Sequence, residues 1–194
     1  MKGKIILIII LAAIVAFVSN QVLIIDKGTE SQYTGVVAFD ASAHSGSDWE
    51  QISTEIISKA QDINTVDLEA LGSGKSVKFK AKVGEFVSKA NGKRNSITVT
   101  PEGYTGNMTF TVQLGSIYSG TAIRDIQTVK TFGDFTNQTE WSQYAKALNS
   151  QVDKDVIAPL GINQSIQGKT VSITGAATAS GNSVTITPVA ITIE

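Results

Sequence analysis

The sequence predicts an α+β fold in which two helices pack with short antiparallel strands, arranged as OB-like small barrels or half-barrels. Three observations carry that expectation. Val77, Phe79, Ala81 and Val83 alternate with Lys78, Lys80 and Lys82, the period of two that marks a half-buried strand. Two separate stretches place apolar residues at helical spacing instead, each beginning near a tryptophan. The opening Gly74-Lys75-Ser76-Val77 recurs as Gly168-Lys169-Thr170-Val171, and Ser96-Ile97-Thr98-Val99-Thr100-Pro101 recurs as Ser183-Val184-Thr185-Ile186-Thr187-Pro188. These two matches argue for an internal duplication with one helix per unit.

In chain order, residues 33–39 read as a short strand. Ser47-Asp48-Trp49-Glu50 has capping-box spacing and predicts a helix start. Its buried stripe would run Trp49, Ile52, Ile56, Ile57, Ala60 and Ile63. Asp67 to Leu71 reads as a further helical turn stopped at Gly72-Ser73-Gly74. After the lysine-alternating strand, Asn91-Gly92 signals a hairpin into a strand carrying Ile97 and Val99. Met108, Phe110, Val112 and Leu114 make the next strand. A second helix begins near Asn137, with Glu140 three residues on. Its stripe would be Trp141, Tyr144, Ala145, Leu148, Val152, Val156 and Leu160. Three short strands close the chain, around Val171 and Ile173, Val184 and Ile186, and Ile191 and Ile193, with Ser180-Gly181-Asn182 as a turn.

The N-terminus sets the organisation. Lys2 and Lys4 precede an unbroken apolar run over residues 5–18, a charge bias that keeps that end cytoplasmic and sends the rest outward. The run alone spans roughly 21 Å of helix, the length of a signal-peptide core, whereas residues 5–25 together reach roughly 31 Å, enough to cross a bilayer. Phe17, Ile14 and Val18 spoil the available cleavage patterns, which favours an uncleaved signal anchor over a removed signal peptide. Residues 1–28 are therefore the anchor or signal segment. Residues 29–194 form an extracytoplasmic α+β domain, divisible into two similar lobes at about 29–118 and 119–194.

Composition narrows the function classes. Lys plus Arg total 16 against 17 Asp plus Glu, so the near-neutral chain lacks the basic surface of a nucleic-acid binder. With no cysteine, disulfides, thiolate metal sites, thiol nucleophiles and cysteine lipidation are all excluded. His44 is the single histidine, and its loose spacing from Asp40 and Asp48 does not make a metal site. No nucleophile elbow, phosphate loop or calcium loop is present, so no cofactor is expected. Lys75, Lys78, Lys80, Lys82, Lys89, Lys93 and Arg94 form a basic stretch, read as a solvated strand face rather than a lipid-binding one.

The most distinctive residues are Ser119-Gly120-Thr121-Ala122-Ile123-Arg124-Asp125, followed by Phe132-Gly133-Asp134-Phe135-Thr136-Asn137-Gln138 and by Tyr144-Ala145-Lys146-Ala147-Leu148-Asn149. This pattern resembles a family of predicted periplasmic lipoproteins classed as a domain of unknown function. The resemblance implies an extracytoplasmic location. Through the family's association with sugar ABC-transporter operons, it also implies an accessory role in sugar uptake. One departure is plain: many relatives carry a lipidated cysteine and this chain has none.

The functional expectation is a non-enzymatic, membrane-tethered accessory or binding protein linked to carbohydrate ABC transport, with a membrane transporter as partner. The contact residues would be Thr121, Arg124, Asp125, Asp134, Asn137 and Gln138. The alternative is a receptor for a sugar or sugar acid, in which Arg124 forms a bidentate clamp. Arg124 could equally bond loop carbonyls or an acid while Asn137 caps the second helix. A carboxylate hydrolase using Asp125 and Asp134 is the third reading.

Overall fold

The computed structural model describes residues 38–194, and no helix among them is long and apolar enough to cross a membrane. The anchor expected over residues 1–28, and all but the end of the strand expected over 33–39, lie outside the described residues. Residues 40–194 form one compact unit.

Helix α1 (Ala41–Ser58) leads into a two-residue strand, β1 (Gln61–Asp62), and a 3-10 turn over Ile63–Thr65. Three strands follow: β2 (Lys75–Lys89), β3 (Arg94–Pro101) and β4 (Thr109–Leu114). A helical insert comes next, with α2 (Ala122–Ile126), a 3-10 turn at Phe132–Asp134 and α3 (Gln138–Val152). The last helix continues as a π-turn over Asp153–Ile157. Strands β5 (Thr170–Ser180) and β6 (Ser183–Ile193) complete the chain.

The sheet runs β1-β2-β3-β4-β6-β5 and closes through a β2–β5 pairing, giving a five-stranded barrel with β1 alongside. All barrel pairings are antiparallel except β4 with β6, which is parallel. Closure depends on the length of β2, whose first half pairs with β5 and whose second half pairs with β3. Between the halves its register shifts from Val83 to Phe86. Gly84 sits in that bend, where a Cβ would come within 2.6 Å of Thr98 Oγ1. The Thr98 hydroxyl instead accepts the Glu85 amide at 2.8 Å, so the bulge satisfies the donor it frees.

The alternation read from the sequence becomes the inside and outside of the barrel. Val77, Phe79, Ala81, Val83, Ile97, Val99, Val112, Val171, Ile173 and Ile186 are buried, while Lys78, Lys80 and Lys82 face solvent. Lys80 pairs with Glu194 at 2.6 Å on that outer face. Asn91-Gly92 turns the β2–β3 hairpin, with Ala90 and Asn91 at positive φ. The two Gly-Lys-x-Val openings lead into β2 and β5, which are antiparallel neighbours in the single barrel. Trp49, Ile52, Ile56, Tyr144, Leu148 and Val152 are the buried faces of α1 and α3, which pack on each other and on the sheet.

Several expected boundaries are corrected. Helix α1 starts at Ala41, not near Ser47: the Asp40 carboxylate accepts from the Ser42 and Ala43 amides at 3.0 Å each. Asp40 caps the helix first, so the Ser47 hydroxyl donates to the His44 carbonyl, and Asp48 is used for a tertiary contact. Ile57, expected on the buried stripe, is 48% exposed, and Ile63 is buried from the 3-10 turn rather than the helix. Residues 67–71 form no helix. Asp67 caps the Glu69 and Ala70 amides, but the chain does not continue helically; Leu68 and Leu71 are buried from a loop.

At the end of α3 the π-turn adds a residue to the repeat, so Ile157 is buried in place of Val156 and Leu160 is left exposed. The last two expected strands are one. Pro188 lies inside β6 opposite Gly175, at a register shift that dispenses with the ladder hydrogen bond proline cannot donate.

Candidate functional site

The sequence-predicted contact residues lie in the helical insert between β4 and β5. Thr121 is the N-cap of α2. Its hydroxyl donates to Asp125 Oδ2 at 2.6 Å. Arg124 Nε and Nη2 both donate to Asp125 Oδ1, at 2.8 and 2.6 Å. The same guanidinium lies 4.7 Å over the Trp141 ring and reaches the Trp141 carbonyl at 3.5 Å. Thr121, Arg124 and Asp125 thus form one network that ties α2 to α3, with the pair's side chains only 15% and 26% exposed. The fork of Arg124 is turned inward onto protein groups and does not open as a clamp toward solvent.

Asp134 and Asn137 belong to two neighbouring caps. Asp134 accepts from the Thr131 amide and hydroxyl at 2.7 and 3.0 Å, and these bonds hold its carboxyl below the usual range. Asn137 caps α3 by accepting from the Glu140 amide at 3.0 Å. The Glu140 carboxylate reaches back to the Thr136 amide at 2.9 Å, a reciprocal arrangement one residue outside the usual box. Gln138, the first residue of α3, is exposed.

Other side chains hold the loop from below. Gln127, buried, donates to the Arg124 and Lys130 carbonyls and accepts from the Lys130 amide. Glu55 of α1 accepts from the Thr128 amide and hydroxyl and from Lys59. Burial works to raise its carboxyl, but the Lys59 and Thr128 hydrogen bonds outweigh it and the group lies below its ordinary range. Asn149 donates to the Gly120 carbonyl at 3.1 Å.

The braced loop presents one large apolar group. Phe132 is 52% exposed and meets Trp141 edge-on, with ring centroids 6.4 Å apart. Phe135 fills the space behind, 4.9 Å from both Trp141 and Tyr144. Tyr144 is fully buried, and its hydroxyl donates to Asp48 Oδ2 at 2.8 Å. Burial first, and then the Asp48 carboxylate, raise its phenol well above the ordinary value. Helical spacing puts both Trp141 and Tyr144 on a core stripe; Tyr144 is core, whereas Trp141 is half-buried and shared between Arg124 and Phe132.

Next to this network is a polar cleft of about 390 Å³, lined by Glu55, Lys59, Lys75, Ser76 and Asp125 among others. Sequence reasoning missed it because its two lysines and two acids come from three distant segments. It also missed Phe132 as a surface group, although the Thr131–Asp134 capping spacing signalled that the phenylalanine sits in a tight exposed turn. Asp40, His44 and Asp48 do not gather: Asp40 caps α1 and Asp48 serves Tyr144. No group of three His, Cys, Asp or Glu side chains suited to a metal exists among the described residues.

The Arg124 network makes a stability prediction. Arg124→Ala leaves the part-buried Asp125 carboxylate without its cation and frees Trp141, and should cost about 2–3 kcal/mol in denaturant unfolding. Arg124→Lys should recover only part of this, since a point charge cannot reproduce the fork and the stacking.

A comparison with curated proteins gives no match. Among solved structures, the fold is similar to that of an OB-fold protein from Thermotoga maritima MSB8, at a TM-score of 0.53 and 12% identity over 81% of this chain and 99% of that one. At that identity the likeness speaks to the fold alone, and it agrees with the closed five-stranded barrel. The profile described as "Predicted periplasmic lipoprotein (DUF2291)" matches residues 10–192, nearly the whole sequence, and the chain belongs to that family.

Proposed function

We propose that this chain is a non-enzymatic accessory protein, tethered at the extracytoplasmic face of the cell membrane, that binds a membrane partner through the loop over residues 127–137. The observation that carries the reading is Phe132, a large apolar side chain held half in solvent by a loop braced from α1, α2 and α3. A rigidly presented aromatic is the form a protein-binding anchor takes, because little side-chain entropy is lost when it docks. The partner we favour is a carbohydrate ABC transporter, held close by the N-terminal segment with its lysines on the cytoplasmic side. With no cysteine in the sequence, the tether would be the apolar N-terminal segment rather than a lipid.

The carboxylates favour binding over catalysis. Asp125 is committed to Arg124 and Thr121, and Asp134 is held deprotonated by Thr131, whereas a general acid needs a raised pKa. Phe132→Ser in the full-length chain tests the reading. Its folding and abundance should be unchanged while co-purification with the transporter from detergent-solubilised membranes falls at least about thirtyfold, the effect of losing an interface anchor. Undiminished co-purification would remove the loop from the interface.

One observation favours a second reading, a receptor for a sugar acid. The 390 Å³ cleft carries Lys75, which makes no ion pair among the described residues and could meet a carboxylate, whereas Lys59, Glu55 and Asp125 at its edge are already paired within the protein. A dose-dependent rise in melting temperature with sugar acids, abolished by Lys75→Ala, would support this reading over the first.

A further inference from the structure

We infer that the π-turn following α3 builds a second binding site, one that takes a small organic cation bearing a primary ammonium group. The cavity of about 250 Å³ lies between the β2–β3 hairpin, the end of β4 and the π-turn, and is lined by Asn95, Gly115, Asp153, Ile157 and Gly161 among others. None of its lining residues belongs to the loop over residues 127–137, so it is independent of the partner surface proposed above.

Three features converge there. Asp153 opens the π-turn, an arrangement that widens one turn of helix and is frequent at functional sites. Among the described residues no Lys or Arg makes an ion pair with Asp153, and burial raises its carboxyl above the ordinary value. The Asn95 side-chain oxygen is shielded from solvent and has no hydrogen-bond partner in the protein. The Tyr118 hydroxyl, outside that lining, is likewise shielded without a partner, and its phenol is raised first by burial and then by the negative charge of Asp153.

The chemistry of these groups selects the ligand. A carboxylate and an amide oxygen are acceptors only, and a tyrosine hydroxyl accepts as readily as it donates. A part-buried carboxylate without a cation carries some desolvation cost, and acceptors shielded without donors add to it. An ammonium group supplies three N–H donors and the compensating charge in one small volume. A metal ion fits less well, since hard cations collect several carboxylates and only Asp153 is present. The apolar side chain of Ile157 in the lining favours an ammonium carried on a short hydrocarbon body over a bare ion.

The test uses the full chain in detergent, titrated with ethanolamine and 1,4-diaminobutane, with glycerol and calcium chloride as controls. The expected result is a saturable rise in melting temperature with the amines alone, accompanied by a shift of the Asn95 side-chain amide resonance. Asp153→Asn should fold at least as well as the parent, because it removes a desolvated charge, yet bind the amines at least about thirtyfold more weakly. Tyr118→Phe should weaken binding less and leave the fold intact. The inference is overturned if the amines give no saturable shift, which would leave a cavity holding water only. It is equally overturned if Asp153→Asn binds them undiminished, or if calcium rather than the amines stabilises the chain.

Discussion

Leu148→Ala should destabilise the chain by about 2–5 kcal/mol, the range for emptying a fully buried leucine site. Leu148 has no exposed surface and lies on the face of α3 that packs against α1 and β6, between Tyr144 and Val152. Its neighbours on that face are also buried, and Tyr144 is fixed by its hydrogen bond to Asp48, so they cannot move in to fill the space. The contrast with Leu160 sharpens the prediction. Both residues fall on one apolar stripe in the sequence, but Leu160 lies beyond the π-turn and is 38% exposed. Leu160→Ala should therefore stay within about 1 kcal/mol of the parent. Urea unfolding of the two variants measures the difference, and equal losses would place the end of the stripe in the core.

Gly175→Ala should cost about 3 kcal/mol, although it adds a single methyl group. A Cβ at Gly175 would come within 2.4 Å of the Thr187 carbonyl oxygen and 2.8 Å of Pro188 Cα, both backbone atoms of the paired strand β6. No side chain can swing aside to relieve that contact, so β5 and β6 must separate at the bulge where Gly175 faces Pro188. This bulge bends the strands that close the barrel against β2 and β4, so the strain falls on closure itself. Gly46→Ala is the matched control. Nothing lies within 4 Å of a Cβ there, and the site is inside α1, where alanine should stabilise by about 0.5–1 kcal/mol. A loss at Gly46 or none at Gly175 would contradict the assigned geometry.

Strand positions and inward faces were legible because alternation is a local property: Val77 to Val83 with the intervening lysines states both strand and sidedness. The helix stripes were legible for the same reason, except where a local rule had two good solutions. Asp40 and Ser47 are both competent caps, and only the tertiary use of Asp48 by Tyr144 shows which one the fold adopts. Pro188 reads locally as a strand end and is tolerated only because Gly175 makes room across the ladder. The π-turn has no local signature, so helical spacing points to Val156 as core where the fold buries Ile157.

At the candidate site, the sequence brought Thr121, Arg124 and Asp125 to notice as a group, and they do form one network. Its direction was not legible. Whether a guanidinium turns outward or inward depends on Trp141, seventeen residues on, whose ring and carbonyl it meets. Glu55 holding Thr128 across 73 residues is likewise a product of packing and not of pattern. Phe132 was visible in the motif, but its exposure follows from the turn that Thr131 and Asp134 make around it.

The most direct test of a partner-binding role is a photo-activated crosslinker placed at position 132 of the full-length chain in intact cells. A discrete adduct with an integral membrane protein, identified as a transporter subunit and absent when the probe replaces solvent-facing Lys78, is the expected result. An adduct that forms equally well from position 78, or none from position 132, would contradict the assignment of this loop as the contact surface.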